Sequence, residues 1–144
     1  MTGPVVVERR IDAPPAAVFE YLIDPSLLAA WLGAACTLDP TPGGRFEMLS
    51  PNGMTAAGEV AAVLPDEKVS FTWGWTGHPG LPPGSTLVEI ELIPDEGGTL
   101  VRLTHSELDP DEGAMHRRGW QHYMGRLAIA VGGGDPGMDR GAAG

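Results

Sequence analysis

The chain has 144 residues, 42% of them hydrophobic, and a formal net charge of −10. That length suits one domain with a sizeable core. The acidity excludes a nucleic-acid surface and docking on anionic lipid, since both need a basic footprint. One cysteine, Cys36, allows no intramolecular disulfide and fits a reducing compartment. The N-terminus carries no basic segment followed by an apolar one, and no apolar run nears the ~20 residues of a membrane span. The expected location is therefore cytoplasmic, with no membrane contact.

In chain order, "VVVERRI" (5–11) is β-branched and bounded by proline, so it reads as a strand. "PPAAVFEYLI" reads as a short helix with prolines in its first turn, where they are tolerated. "DPSLLAAWL" reads as a second, with Asp24 as N-cap and Leu28, Trp31 and Leu32 facing inward. From Leu38 to about His105 the period changes from 3.6 to 2. Strands are expected at 43–50, 57–65, 68–75, 86–94 and 99–105, with turns at "PNG", "PDE" and "DEGG". Short turns between neighbours predict an antiparallel meander. The loop 76–85 is long and rich in Gly and Pro. "DPDE" (109–112) then opens a long helix, with carboxylates at its positive end.

Within that helix, "RRGWQHYMGRLAIAV" (117–131) puts Trp120, Tyr123, Met124, Leu127, Ala128 and Val131 on one face. A core helix usually offers Leu, Ile and Val there. This one offers an indole, a phenol and a thioether. The Gly-rich tail, 132–144, has almost nothing to bury and is expected to be disordered. One domain over 1–131 is predicted, α+β in class, with an antiparallel sheet curled around the long C-terminal helix and two short helices after the first strand. An arrangement of that kind tends to leave a cavity between sheet and helix.

The ordered set "IDAPPAAVFEYLIDPSLLAAWL", "GGRFEM", "GEVAAVLPDEKVSFTW", "GGTLVRLTHSEL" and "GWQHYMGRLAIAV" resembles the START-like (SRPBCC, Bet v 1-like) superfamily. Within it, the chain is most similar to the family named for the C-terminal domain of the Hsp90 ATPase activator Aha1. The resemblance covers roughly residues 5–131. It implies a helix-grip fold with an apolar cavity. It implies no single chemistry, since relatives include ligand carriers, polyketide cyclases and chaperone activators.

The expected site is that cavity. The aromatic face of the long helix would roof it, with Trp120, Tyr123, Met124 and Leu127 as ligand contacts. "FTWGW" puts Phe71, Trp73 and Trp75 on one side of a strand, where they could stack on a planar ligand. Plain core packing explains the same pattern. Met48 is assigned to the wall. His105 shares parity with Val101 and Leu103, so it faces inward as a polar anchor, a general base or a histidine satisfied by the backbone. His116 shares a helix face with Trp120 and is placed at the mouth. His78 is expected to be exposed, and His122 points away.

The strand carboxylates Glu47, Glu59, Glu89 and Glu91 are expected on solvated faces, though one bulge would reverse that parity. The histidines and the cysteine lack zinc-ligand spacing, so no metal and no cofactor are expected. "GGGDPG" at 132–137 matches a dinucleotide-binding pattern, but it follows a helix and precedes none. The preferred function is binding of a hydrophobic or aromatic small molecule. A cyclase or dehydratase acting on a polyketide-like chain is the second reading, and an Hsp90-interaction module the third. An exposed edge at "VVVERRI" would permit a homodimer.

Overall fold

Alternating valines at 5 and 7, with Ile11, point one side of the first strand, β1 (Val5–Ile11), into the protein. Two short helices follow, α1 (Pro15–Ile23) and α2 (Pro25–Leu28). Pro15 opens the first helix, and the Asp24 side chain caps the second by accepting from the Ser26 and Leu27 amides. Trp31, just beyond, is fully buried and donates its indole N–H to the Tyr21 carbonyl at 2.9 Å. Then come β2 (Ala35–Leu38), β3 (Arg45–Leu49), β4 (Thr55–Leu64), β5 (Lys68–Trp73), β6 (Thr86–Asp95), β7 (Gly98–Ser106) and the long helix α3 (Pro110–Val131). This computed structural model describes residues 4–137. Residues 138–144 of the expected disordered tail lie outside the described residues.

The strands form one antiparallel sheet in the order β1-β7-β6-β5-β4-β3-β2. Every sequential pair from β2 to β7 is adjacent, and β1 joins the far side of β7. The sequence had not marked β2. "ACTL" is short, and only Leu38 of it is buried, so no alternation shows. The β6–β7 turn is a two-residue hairpin with Glu96 and Gly97 both at positive φ, the geometry matched to strand twist. In β4 an extra residue falls between Val60 and Ala62. The inward face moves there from even to odd positions: Ala56 and Val60 are buried before the bulge, and Val63 packs on the core after it.

α3 begins at Asp109, whose carboxylate accepts from the Glu112 amide at 2.9 Å. It lies closest to β1, and Arg117 reaches from it to the Val6 carbonyl at 3.1 Å. Its other side faces the β3–β4 hairpin and the end of β5. Near its C-terminus Arg126 is buried. That guanidinium donates to the carbonyls of Ala30, Trp31, Pro136 and Gly137, tying α3 to the segment after α2 and to 132–137. The domain is an α+β helix-grip fold, a curved antiparallel sheet holding one long helix.

Candidate ligand-binding site

Between the N-terminal half of α3, the β3–β4 hairpin and the end of β5 lies a cleft of about 870 Å³. Such a volume is typical of small-molecule sites. From α3 it takes Glu112, Met115, His116, Arg118, Gly119, Trp120 and Tyr123; the spacing of 112, 116, 119, 120 and 123 is one helix face. β3 gives Met48, and the hairpin gives Ser50, Pro51, Asn52 and Met54. Trp73, Trp75 and His78 complete the wall. Met54 and Met115 are exposed at the rim, Met115 to 58%.

Two glycines make this wall possible. Gly33, at φ 72°, lies against Met48, where an added Cβ would come within 2.5 Å of the Met48 sulfur. At Gly74 a Cβ would run into the Pro82 carbonyl, so glycine lets the 76–85 loop fold back over the end of β5. The Trp75 amide donates to Leu81 O at 2.8 Å, and Leu81 is buried. The loop that looked free in the sequence is thus anchored, and it carries His78 to the cleft.

The wall is a continuous aromatic cluster. Trp73 sits 5.1 Å from Trp120 and 5.3 Å from Trp75, the latter edge-on. Phe46 and Phe71 pack behind it, 4.3 Å apart. His105 and His116 stand edge-to-face at 5.2 Å.

Each of these two histidines accepts a hydrogen bond from an indole. Trp120 Nε1–H donates to His105 Nδ1 at 3.0 Å. That fixes His105 as the Nε2–H tautomer, which donates to Thr86 Oγ1 at 2.8 Å, while Thr86 donates to Trp73 O at 2.7 Å. Trp75 Nε1–H donates to His116 Nε2 at 3.0 Å, and His116 Nδ1–H donates to Glu112 O at 2.7 Å. Neither imidazole has a nitrogen left to take a proton without losing an indole partner. Burial, with the His116 ring adding to it, pushes the His105 pKa down to about 3. Burial also lowers His116, against the opposing pull of the Glu112 carbonyl and carboxylate. Both rings are neutral at physiological pH.

Of the ten sequence-predicted contacts, Met48, Trp73, Trp75, His116, Trp120 and Tyr123 line the cleft. Phe71, His105, Met124 and Leu127 do not. They are buried rather than on the cleft surface, since strand and helix parity gives the inward direction but not the depth. His78, expected to be exposed, is half-buried, with Nε2 at 3.1 Å from a Glu112 carboxylate oxygen. Sequence reasoning missed Glu112, Met115, Arg118, Gly119 and the hairpin. Glu112 carried a signal, its place one turn before His116, but a helix-dipole role accounted for it.

Among the described residues no carboxylate is buried, and no cluster of His, Cys, Asp or Glu is placed to hold a metal ion. Burial pushes the Cys36 thiol up to about 12, and it donates to Leu32 O, so it is no ready nucleophile.

A sheet gripping a helix over an aromatic cleft defines a domain of the START-like class. The family model described as "Activator of Hsp90 ATPase homolog 1-like protein" matches residues 12–132, and the chain belongs to that family. It is similar to an AHSA1-like protein from Rhizobium etli, at 43% identity over 97% of this chain and 89% of that one, with a TM-score of 0.69. A protein of Mesorhizobium loti, MLL2253, matches at 29% identity over 92% of this chain and 99% of that one, with a TM-score of 0.82. DynU16, from the dynemicin biosynthetic locus, matches at 26% identity and a TM-score of 0.83 over 96% of this chain, which spans 51% of DynU16. No curated protein matches the chain. Among the described residues no helix is long and apolar enough to cross a membrane.

Proposed function

We propose that this domain binds a hydrophobic, aromatic small molecule in the cleft beside α3. One observation carries the reading: the wall is built from three indoles and a phenol around a cavity large enough for a ligand, beside histidines held neutral. An aromatic wall of this kind suits stacking on a planar ring. The likeness to DynU16, a protein of a biosynthetic locus, supports a small-molecule ligand over a macromolecular one.

A ring system burying about 200 Å² would gain roughly 5 kcal/mol from apolar area at 25 cal/mol per Å². Even before association costs, that alone gives a Kd no tighter than about 200 µM. Tighter binding has to come from polar groups. A cyclase or dehydratase needs a base with a free lone pair facing an acid. In this cleft both buried histidines have theirs engaged by indoles, and Glu112 is held by His78. His78 Nδ1 is the one cleft histidine nitrogen without a partner among the described residues, so binding is the function the geometry favours, and any turnover would have to run through that nitrogen.

The test is native mass spectrometry of the purified protein, with a thermal-shift panel of planar hydrophobic compounds. A co-purified mass or a clear rise in melting temperature is expected. No adduct and no shift across a broad panel would count against the reading.

A further inference from the structure

The cleft is lined by one carboxylate, Glu112, and one guanidinium, Arg118, and the two stand differently. Glu112 is half-buried and engaged. One of its oxygens lies 3.1 Å from His78 Nε2 and the other 3.7 Å from His116 Nδ1. Arg118 is exposed at the edge of the cleft, one helical turn from the rim residue Met115. Among the described residues it makes no hydrogen bond and no ion pair.

That is uncommon in this chain, where acidic residues outnumber basic ones 19 to 9 and carboxylate partners abound. Arg10, Arg45, Lys68 and Arg102 each pair with a carboxylate, and Arg117 and Arg126 donate to backbone carbonyls. Arg9, on β1 and outside the cleft, is the other described cation with neither. Arg118 is never deprotonated, so the cleft has one permanent cation and it is uncommitted. Asn52 adds a second donor. Its Oδ1 accepts from the Met54 amide at 3.0 Å, which fixes the side-chain orientation and leaves the NH2 group without a partner among the described residues. The cleft thus offers donors to an incoming molecule, while its own carboxylate is taken.

We propose that the cleft takes an aromatic monocarboxylate, its ring on the indole wall and its carboxylate at the edge on Arg118. This rests on the proposed function and names the ligand class for the same site. The planar guanidinium fork matches the two oxygens of a carboxylate. Glu112 does not forbid it. Six residues separate Glu112 from Arg118, about 9 Å along the helix axis. Coulomb energy falls with distance, so attraction to a guanidinium in contact exceeds repulsion from a carboxylate that far away. The net charge of −10 acts against a more highly charged group such as a phosphate.

The probes are 2-naphthoate, its neutral isostere 2-naphthamide and the cationic 2-naphthylmethylamine, titrated calorimetrically into the whole protein at pH 7.5. The three share one ring system, so differences report the charge. Because Arg118 is exposed, the acid is expected to bind about three- to fivefold tighter than the amide, with the amine weakest. Raising the salt from about 20 mM to about 500 mM should shrink the preference for the acid and leave the amide nearly unchanged. Arg118→Gln should bind acid and amide equally, and Arg118→Lys should restore part of the difference. The salt dependence is read in the unaltered protein, so it decides the matter even if a variant fails to fold. Equal affinity for acid and amide, a preference that survives Arg118→Gln, or tightest binding of the amine overturns the carboxylate site and leaves the cavity reading standing. No binding by any of the three overturns both.

Discussion

His105 is the residue where sequence and structure meet most instructively. Its parity with Val101 and Leu103 made its inward direction legible. That Trp120, fifteen residues on, would engage its lone pair was not, because only the fold brings them together. The consequence is measurable. An unfolded histidine takes up a proton near pH 6.5, and folded His105 does not until about pH 3. Stability is therefore full above pH 6.5 and falls as the pH drops toward 3, by up to about 1.4 kcal/mol per pH unit. His116, shifted in the same direction, adds to the slope. Urea denaturation at pH 7.5 and 5.0 checks this, and equal stability at the two would contradict it. Trp120→Phe removes the indole donor and frees Nδ1, so the His105 pKa should rise, as read by NMR titration of its ring protons. Trp120→Ala should cost about 3–5 kcal/mol, since the ring is almost fully buried.

Among the elements, α3 shows how far periodicity carries. The 3.6 spacing identified the helix and its aromatic face. Arg126 lies on the inward side near Tyr123 and Leu127, a position where the sequence offers no apolar residue. It is buried because four backbone carbonyls satisfy its guanidinium. Arg126→Ala should destabilise by about 2–4 kcal/mol, measured by denaturant melts, as those carbonyls lose their donor. Gly119 is the other surprise. It lines the cleft, and a Cβ there would meet nothing within 4 Å. Glycine inside a helix costs up to about 1 kcal/mol against alanine. Gly119→Ala should therefore raise stability by about 0.5–1 kcal/mol, and Gly119→Trp should fill the cleft and abolish ligand shifts in a still-folded protein. In β4 the bulge at 61 reversed the faces, a feature the alternating sequence does not encode.

For the molecule as a whole, the order of the elements other than β2 and the sheet-around-helix architecture were legible because turns, prolines and period changes are local signals. The cleft was legible only in part. Six of its residues were named, because aromatics at period 2 and at period 3.6 converge on it. The hairpin, His78 and the rim methionines were not, because loops carry no periodicity and their position depends on how the sheet curls. What remains central is that three of the four tryptophans, Trp73, Trp75 and Trp120, line one cavity, while Trp31 is buried away from it with its indole on Tyr21 O. The direct test is a ¹H–¹⁵N correlation spectrum of the four indole N–H groups during titration with 2-acetonaphthone. The account predicts shifts for Trp73, Trp75 and Trp120 and a stationary Trp31. No movement of the three, or movement of Trp31 to the same degree, would contradict it.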